Sequence, residues 1–169
     1  FTLGVLLIVL GFSMLVPITI QLIYSEFNST FIISSIITIT FGALFFLANI
    51  DHNRSLSTQQ AFLLTALSWI GVAIFGSIPF IFSDLNLSIT DAFFESMSGI
   101  TTTGATIINN LSDTPKAILS WRALLQWLGG IGIIVMAITL MPIMNIGGMQ
   151  LLKISSGDSS EKILPKSKQ

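Results

Sequence analysis

Four stretches of this sequence, residues 3–24, 31–50, 61–82 and 119–143, run on with a single charged residue, Arg122, among them. Each is long enough to cross a hydrocarbon layer of ~30 Å, which takes about 20 helical residues. Inside lipid every backbone N–H and C=O must be satisfied within the protein, so such runs read as helices. The expected fold class is therefore an all-α integral membrane protein. Charged residues make up only 9% of the chain and the mean hydropathy is +0.87, where soluble domains carry about 25% charge.

The same composition excludes several functions. There is no cysteine, which removes disulfide and thiolate chemistry, and His52 is the single histidine. A net charge of -1 offers no basic face for phosphates, so no nucleic-acid partner is expected. Carboxylates fall at loop edges without a paired base or nucleophile, so no enzyme is expected. Phe1 already lies inside an apolar run, and the chain is expected to be a piece of a longer protein.

Prolines stand within or near the ends of three runs: Pro17, Pro79 and Pro142. Pro17 is expected to kink the first helix, because proline removes a hydrogen bond and crowds the preceding turn. The connections are short. Lys153, Lys162, Lys166 and Lys168 crowd the tail and Arg54 lies in the 51–60 loop beside His52. Basic residues favour the cytoplasmic face. The tail and the 51–60 loop are thus expected inside, and the Glu26 loop and the 83–118 region outside. Four crossings satisfy that alternation.

Between the third and fourth runs, residues 89–108 are too polar to span. Glu95, Ser96, Ser98 and several threonines interrupt Phe93, Phe94 and Met97. A re-entrant segment fits: a half-length helix over 89–99, then an irregular strip over 101–106. Ser88 and Asp91 have the spacing of a capping box at its start, and Gly99 is expected to end it. Ten or so residues at 1.5 Å each give ~15 Å, half the layer. The helix C-terminus, carrying roughly half a negative charge, would then point at mid-membrane and favour a cation there.

Thr101, Thr102, Thr103 and Gly104 follow. A bare ion in a low-dielectric medium costs on the order of 20 kcal/mol, so oxygens must replace its water. Backbone carbonyls can do so if they share a direction, and Gly104 permits the backbone angles such an alignment uses. The strip itself has no carboxylate, which suits a weakly hydrated monovalent cation better than Ca²⁺ or Mg²⁺. A plain connecting loop is the alternative reading.

Other residues have two readings each. Glu95 either sits behind the strip and accepts from its amides or faces water at the outer mouth. Arg122 reads as an interfacial anchor whose charge snorkels to water, with ion steering as the second reading. Gly129, Gly130 and Gly132 suit close helix approach, with a hinge as the alternative. Trp69, Trp121 and Trp127 suit interfacial or packing positions.

Several motifs together carry a resemblance: SWI (68–70), FGSIPF (75–80), DAFFESMSG (91–99), TTTGAT (101–106), WRALLQWLGGIG (121–132), GGMQ (147–150) and KILP (162–165). In this combination the chain resembles the first pore repeat of bacterial TrkH-type potassium transporters, within the wider Trk, Ktr and HKT superfamily. The resemblance extends over essentially the whole chain. It implies an N-terminal transmembrane helix pair over 1–50 and a first pore repeat over 59–150. Within that repeat come an outer helix 61–82, a pore helix 89–99, a filter strip 101–106 and an inner helix 119–143. Residues 151–169 would be a cytoplasmic linker toward a second repeat.

The resemblance further implies that Thr102, Thr103 and Gly104 coordinate K⁺, with Thr101, Ala105 and Glu95 in support. Glycine at position 104 goes with K⁺ selectivity in the superfamily, where serine in the first repeat goes with Na⁺. The implied partners are the remaining pore repeats, a second full-length copy in a homodimer, a cytosolic nucleotide-binding regulatory subunit and the lipid bilayer. The implied location is the bacterial inner membrane. No organic cofactor is implied. Two functions compete: K⁺ uptake with this chain as one of four repeats, or a non-conducting membrane subunit or remnant.

Overall fold

The computed structural model describes residues 1–49 and 57–143. His52, Arg54, the 147–150 motif and the tail from 151 lie outside the described residues. Those that are described fold into six α-helices and no strand. They are α1 (Thr2–Ser13), α2 (Leu15–Ile23), α3 (Thr30–Leu47), α4 (Thr58–Ile81), α5 (Ile89–Ile100) and α6 (Lys116–Ile143). Taken together, α1 and α2 make one candidate span, Thr2–Ile23; all of α3 and most of α4 and α6 make three more.

The break between α1 and α2 falls at Met14, three residues before Pro17. Proline has no N–H to give to the carbonyl of Ser13, and the next bond, from Ile18 N–H to the Met14 carbonyl, is stretched to 3.4 Å. This is the interruption expected at Pro17.

Two helix starts lie three residues earlier than the apolar runs suggest. Helix α4 begins at Thr58 because Ser57 and Gln60 form a reciprocal capping box. Helix α6 begins at Lys116, directly after Pro115, and Glu26 Oε2 accepts from the Lys116 N–H at 3.2 Å. A carboxylate there also suits the positive end of the helix dipole.

The core of the unit formed by residues 1–132 runs from Leu7, Leu10 and Met14 through Phe31, Ala73 and Phe80 to Ile118, Trp121 and Leu125. Among the described residues, the second unit holds only the final turns of α6, from Ile133. Outward positions such as Ile36, Leu44 and Leu63 are both large and exposed. No more than 33% of any candidate span is buried within the protein. A water-facing surface of that kind would be unstable, whereas lipid tails cover it at no cost.

The connections 24–29, 82–88 and 114–116 meet at one end of the bundle. Asn28 Nδ2 donates to Asp84 Oδ2 at 3.3 Å, and Thr30 Oγ1 donates to the Phe82 carbonyl at 3.1 Å. Together with the Glu26–Lys116 bond, these contacts put the Glu26 loop and the 83–118 region on a common side.

Candidate functional site

Helix α5 starts with the expected box: the Ser88 hydroxyl accepts from the Asp91 N–H at 3.1 Å, and Asp91 Oδ2 accepts from the Ser88 N–H at 3.3 Å. It ends differently from expectation. Gly99 lies inside the helix, which continues through Ile100. The missing side chain at Gly99 serves packing instead, since a Cβ there would stand 3.0 Å from Leu125 Cβ. The turn out of the helix is made by Thr102, at φ +60, and then by Gly104, at φ +76. The left-handed region is uncommon for threonine, so surrounding bonds must hold it.

Those bonds come from the last turn of α5. The Thr101 N–H reaches the Met97 carbonyl at 2.9 Å and the Thr102 N–H reaches that of Gly99 at 3.0 Å. The Ser98 carbonyl takes two, from the N–H groups of Thr103 (3.0 Å) and Gly104 (3.2 Å). Four successive N–H groups therefore point back into the helix end.

In a planar trans peptide the carbonyl of one residue is antiparallel to the N–H of the next. The carbonyls of Thr101, Thr102 and Thr103 consequently point away from α5. Among the described residues no donor reaches them or the Gly104 carbonyl. All four residues are exposed. The Thr103-to-Ser98 and Thr102-to-Gly99 bonds, with Thr102 left-handed at C′, form a Schellman cap; the cap consumes the N–H groups and leaves the carbonyls of 101–103 facing away from α5.

The side chains tighten the same geometry. Thr101 Oγ1 donates to the Met97 carbonyl at 2.8 Å and lies 2.9 Å from Thr103 Oγ1. Ser98 Oγ donates to the Ala105 carbonyl at 2.6 Å. That bond takes Ala105 out of the row of free oxygens and makes it an anchor.

Beyond Ala105 the strip is held by Glu95. Its carboxylate is completely buried. Oε1 accepts from the Thr106 hydroxyl at 2.6 Å and from the Ile107 N–H at 2.7 Å, while Oε2 accepts from Arg122 Nε at 2.8 Å. Glu95 is thus turned to the Thr106 hydroxyl and to the Ile107 amide just past the strip. Arg122 differs from the sequence expectation. Its side chain is 12% exposed, and its charge faces Glu95 rather than the interface. Removing either partner of a buried pair leaves a lone charge and costs on the order of 3–5 kcal/mol.

Helix α6 meets the end of α5 almost backbone to backbone. A Cβ on Gly129 would sit 1.9 Å from the Ile100 carbonyl oxygen. Gly132 lies against Trp69, whereas Gly130 has nothing within reach of a Cβ. The close-approach role thus belongs chiefly to Gly129. The tryptophans also divide: Trp121 is fully buried, Trp69 packs against the core, and Trp127 is 64% exposed. Sequence reasoning missed Ser98, whose carbonyl and hydroxyl both fasten the strip; nothing in its spacing sets it apart from Ser96.

A family model described as TrkH, cation transport protein, matches residues 27–166. The chain belongs to the TrkH family. Among TrkH-family relatives, the Trk system potassium uptake protein TrkH of Vibrio parahaemolyticus is 42% identical over 152 residues, covering 89% of this chain and 31% of its own. That of Escherichia coli K12 is 42% identical over 156 residues, with 89% and 32% covered. The Halomonas elongata protein TrkI is 39% identical over 165 residues, with 97% and 34% covered. The crystal structure of the Vibrio parahaemolyticus potassium transporter TrkH superposes with a TM-score of 0.78 at 39% identity, over 91% of this chain and 34% of that one. The chain thus spans about a third of the length of the TrkH-family proteins it matches, and it is a multi-pass membrane protein.

Proposed function

We propose that this chain supplies one of four pore repeats of a K⁺ uptake system. K⁺ passes Thr102, Thr103 and Gly104, whose carbonyl oxygens replace part of its hydration shell. Thr101, Ala105 and Glu95 hold those three in place. The observation that carries this reading is that the carbonyls from 101 to 104 accept from no donor among the described residues, while the N–H groups of 101 to 104 are tied to the end of α5. A dipolar ligand set without carboxylates matches a monovalent ion, and the relatives are named potassium uptake proteins.

One repeat provides about a quarter of a four-sided cage, so the reading requires facing repeats. It also takes the full-length protein as a homodimer in the bacterial inner membrane. The tail from 151 lies on the cytoplasmic side, where a nucleotide-binding regulatory subunit docks. The name "Trk system" borne by the relatives is in keeping with a multicomponent assembly.

The test is ion uptake in a host lacking its own K⁺ uptake, with the remaining repeats present. Gly104→Ser is expected to raise Na⁺ uptake relative to K⁺. Unchanged discrimination would count against the assignment of Gly104 to the filter.

A further inference from the structure

Resting on the reading of residues 102–104 as a K⁺ filter, we infer that Arg122 is a positioning residue that sets ion discrimination through Glu95. Helix α5 grips the strip at both ends. At the near end its last carbonyls hold the N–H groups of residues 101–104. At the far end Glu95 Oε1 holds Thr106 and Ile107. The free carbonyls lie between these anchors.

The near anchor is local and neutral. The far one depends on a charge with no water around it, since Glu95 is completely buried. Arg122 makes the one ion pair found among the described residues, and it comes from α6 rather than from α5. Its Nε–H occupies Oε2 and leaves Oε1 to accept both bonds from the strip. Bonds to an ionised carboxylate are shorter and about twice as strong as neutral ones.

Without the guanidinium, Oε2 loses its donor and the carboxylate is free to turn away from the strip, which slackens Thr106 and Ile107. A cage that tells K⁺ from Na⁺ by size has to resist closing on the smaller ion, and a slack far anchor removes that resistance. Arg122 touches no ion in this scheme; it works by keeping Glu95 aimed.

The experiment compares Arg122→Gln and Arg122→Lys with the parent protein in liposomes, with all repeats present. It reads K⁺ and Na⁺ uptake and the rise in melting temperature that K⁺ produces. Arg122→Gln is expected to lower the K⁺ over Na⁺ ratio at least about tenfold, the lower bound for one hydrogen bond to a charged group, and to abolish most of the K⁺-dependent thermal shift. Arg122→Lys keeps the charge without the planar fork and is expected to lower the ratio by a smaller factor. An unchanged ratio and thermal shift in Arg122→Gln, with only less protein or a uniformly slower rate, overturns the inference and leaves Arg122 a packing residue. If Arg122→Gln does not reach the membrane, Arg122→Lys decides alone: a lowered ratio supports the inference and an unchanged one overturns it. Gly104→Ser separates the two levels. If it alters discrimination while both Arg122 variants do not, only the role of Arg122 falls; if it too has no effect, the filter reading falls.

Discussion

The indole N–H of Trp121 donates to the carbonyl oxygen of Gly76 at 3.0 Å, joining α6 to α4 in full burial. A Cβ on Gly76 would come within 2.6 Å of Ser96 Oγ, so α5 enters at the same point. The ring of Phe31 meets Trp121 edge-on at 6.1 Å. One residue thus ties α6 to α4 and lies against α3. Trp121→Phe keeps most of the ring and loses the bond, with an expected cost of about 1 kcal/mol. Trp121→Ala should cost roughly 3–5 kcal/mol. Thermal melting of the detergent-solubilised variants checks both. Equal losses would mean that the ring contributes nothing beyond the hydrogen bond, and no loss in Trp121→Phe would mean that the bond contributes nothing.

Gly129 and Gly130 are adjacent and identical, yet their substitution should have opposite results. At 129 an added methyl meets a backbone oxygen at 1.9 Å, with no flexible side chain to give way. At 130 it meets nothing within 4 Å. Gly129→Ala is expected to reduce folded protein sharply. Gly130→Ala is expected to be neutral, or to gain up to about 1 kcal/mol from helix propensity. The yield of monodisperse protein on size exclusion separates them, and similar yields would contradict the backbone contact described here.

At Gly104 the obstacle to a side chain is conformation and not space. A Cβ there would lie 3.8 Å from Gln126 Nε2, an ordinary contact, but φ is +76. Gly104→Ala is therefore expected to cost about 1–2 kcal/mol through the left-handed backbone alone. Gly104→Ala and Gly104→Ser should melt at similar temperatures. A much lower value for serine would point to a polar clash that the present geometry lacks.

The Ser88–Asp91 box sets where α5 begins, and through it the height of the strip. Ser88→Ala should cost about 1 kcal/mol. Ser88→Thr, which keeps the capping hydroxyl, should stay close to the parent. Hydrogen exchange at the first turn of α5 is the direct measurement: faster exchange in the alanine variant only is the expected pattern.

Much of this architecture was legible in the sequence, and the reasons are physical. Runs of twenty uncharged residues have few stable alternatives to a span, and the Ser88–Asp91 spacing marks a helix start that the structure has. The Ser57–Gln60 box was equally visible, but hydropathy drew attention to the apolar residues from 61 onward. Gly99 misled because a glycine near a helix end is usually a stop, and only the position of Leu125 on another helix reveals that it is needed as space. Arg122 misled for a related reason. A helix that is apolar on nearly every side gives no sign of which face meets a neighbour, so a lone charge near its start reads as a tether to water. Its partner Glu95 stands 27 residues away, and their meeting depends on the tertiary fold.

The contact between Gly129 and Ile100 has a mechanical consequence. Backbone pressed on backbone cannot slide without first separating, and the Arg122–Glu95 pair rivets the same two helices about two turns away or less. The strip, the short helix beneath it and the first half of α6 therefore travel as one stiff piece. A relative shift of α5 against this part of α6 has to break both the Gly129–Ile100 contact and the Arg122–Glu95 pair.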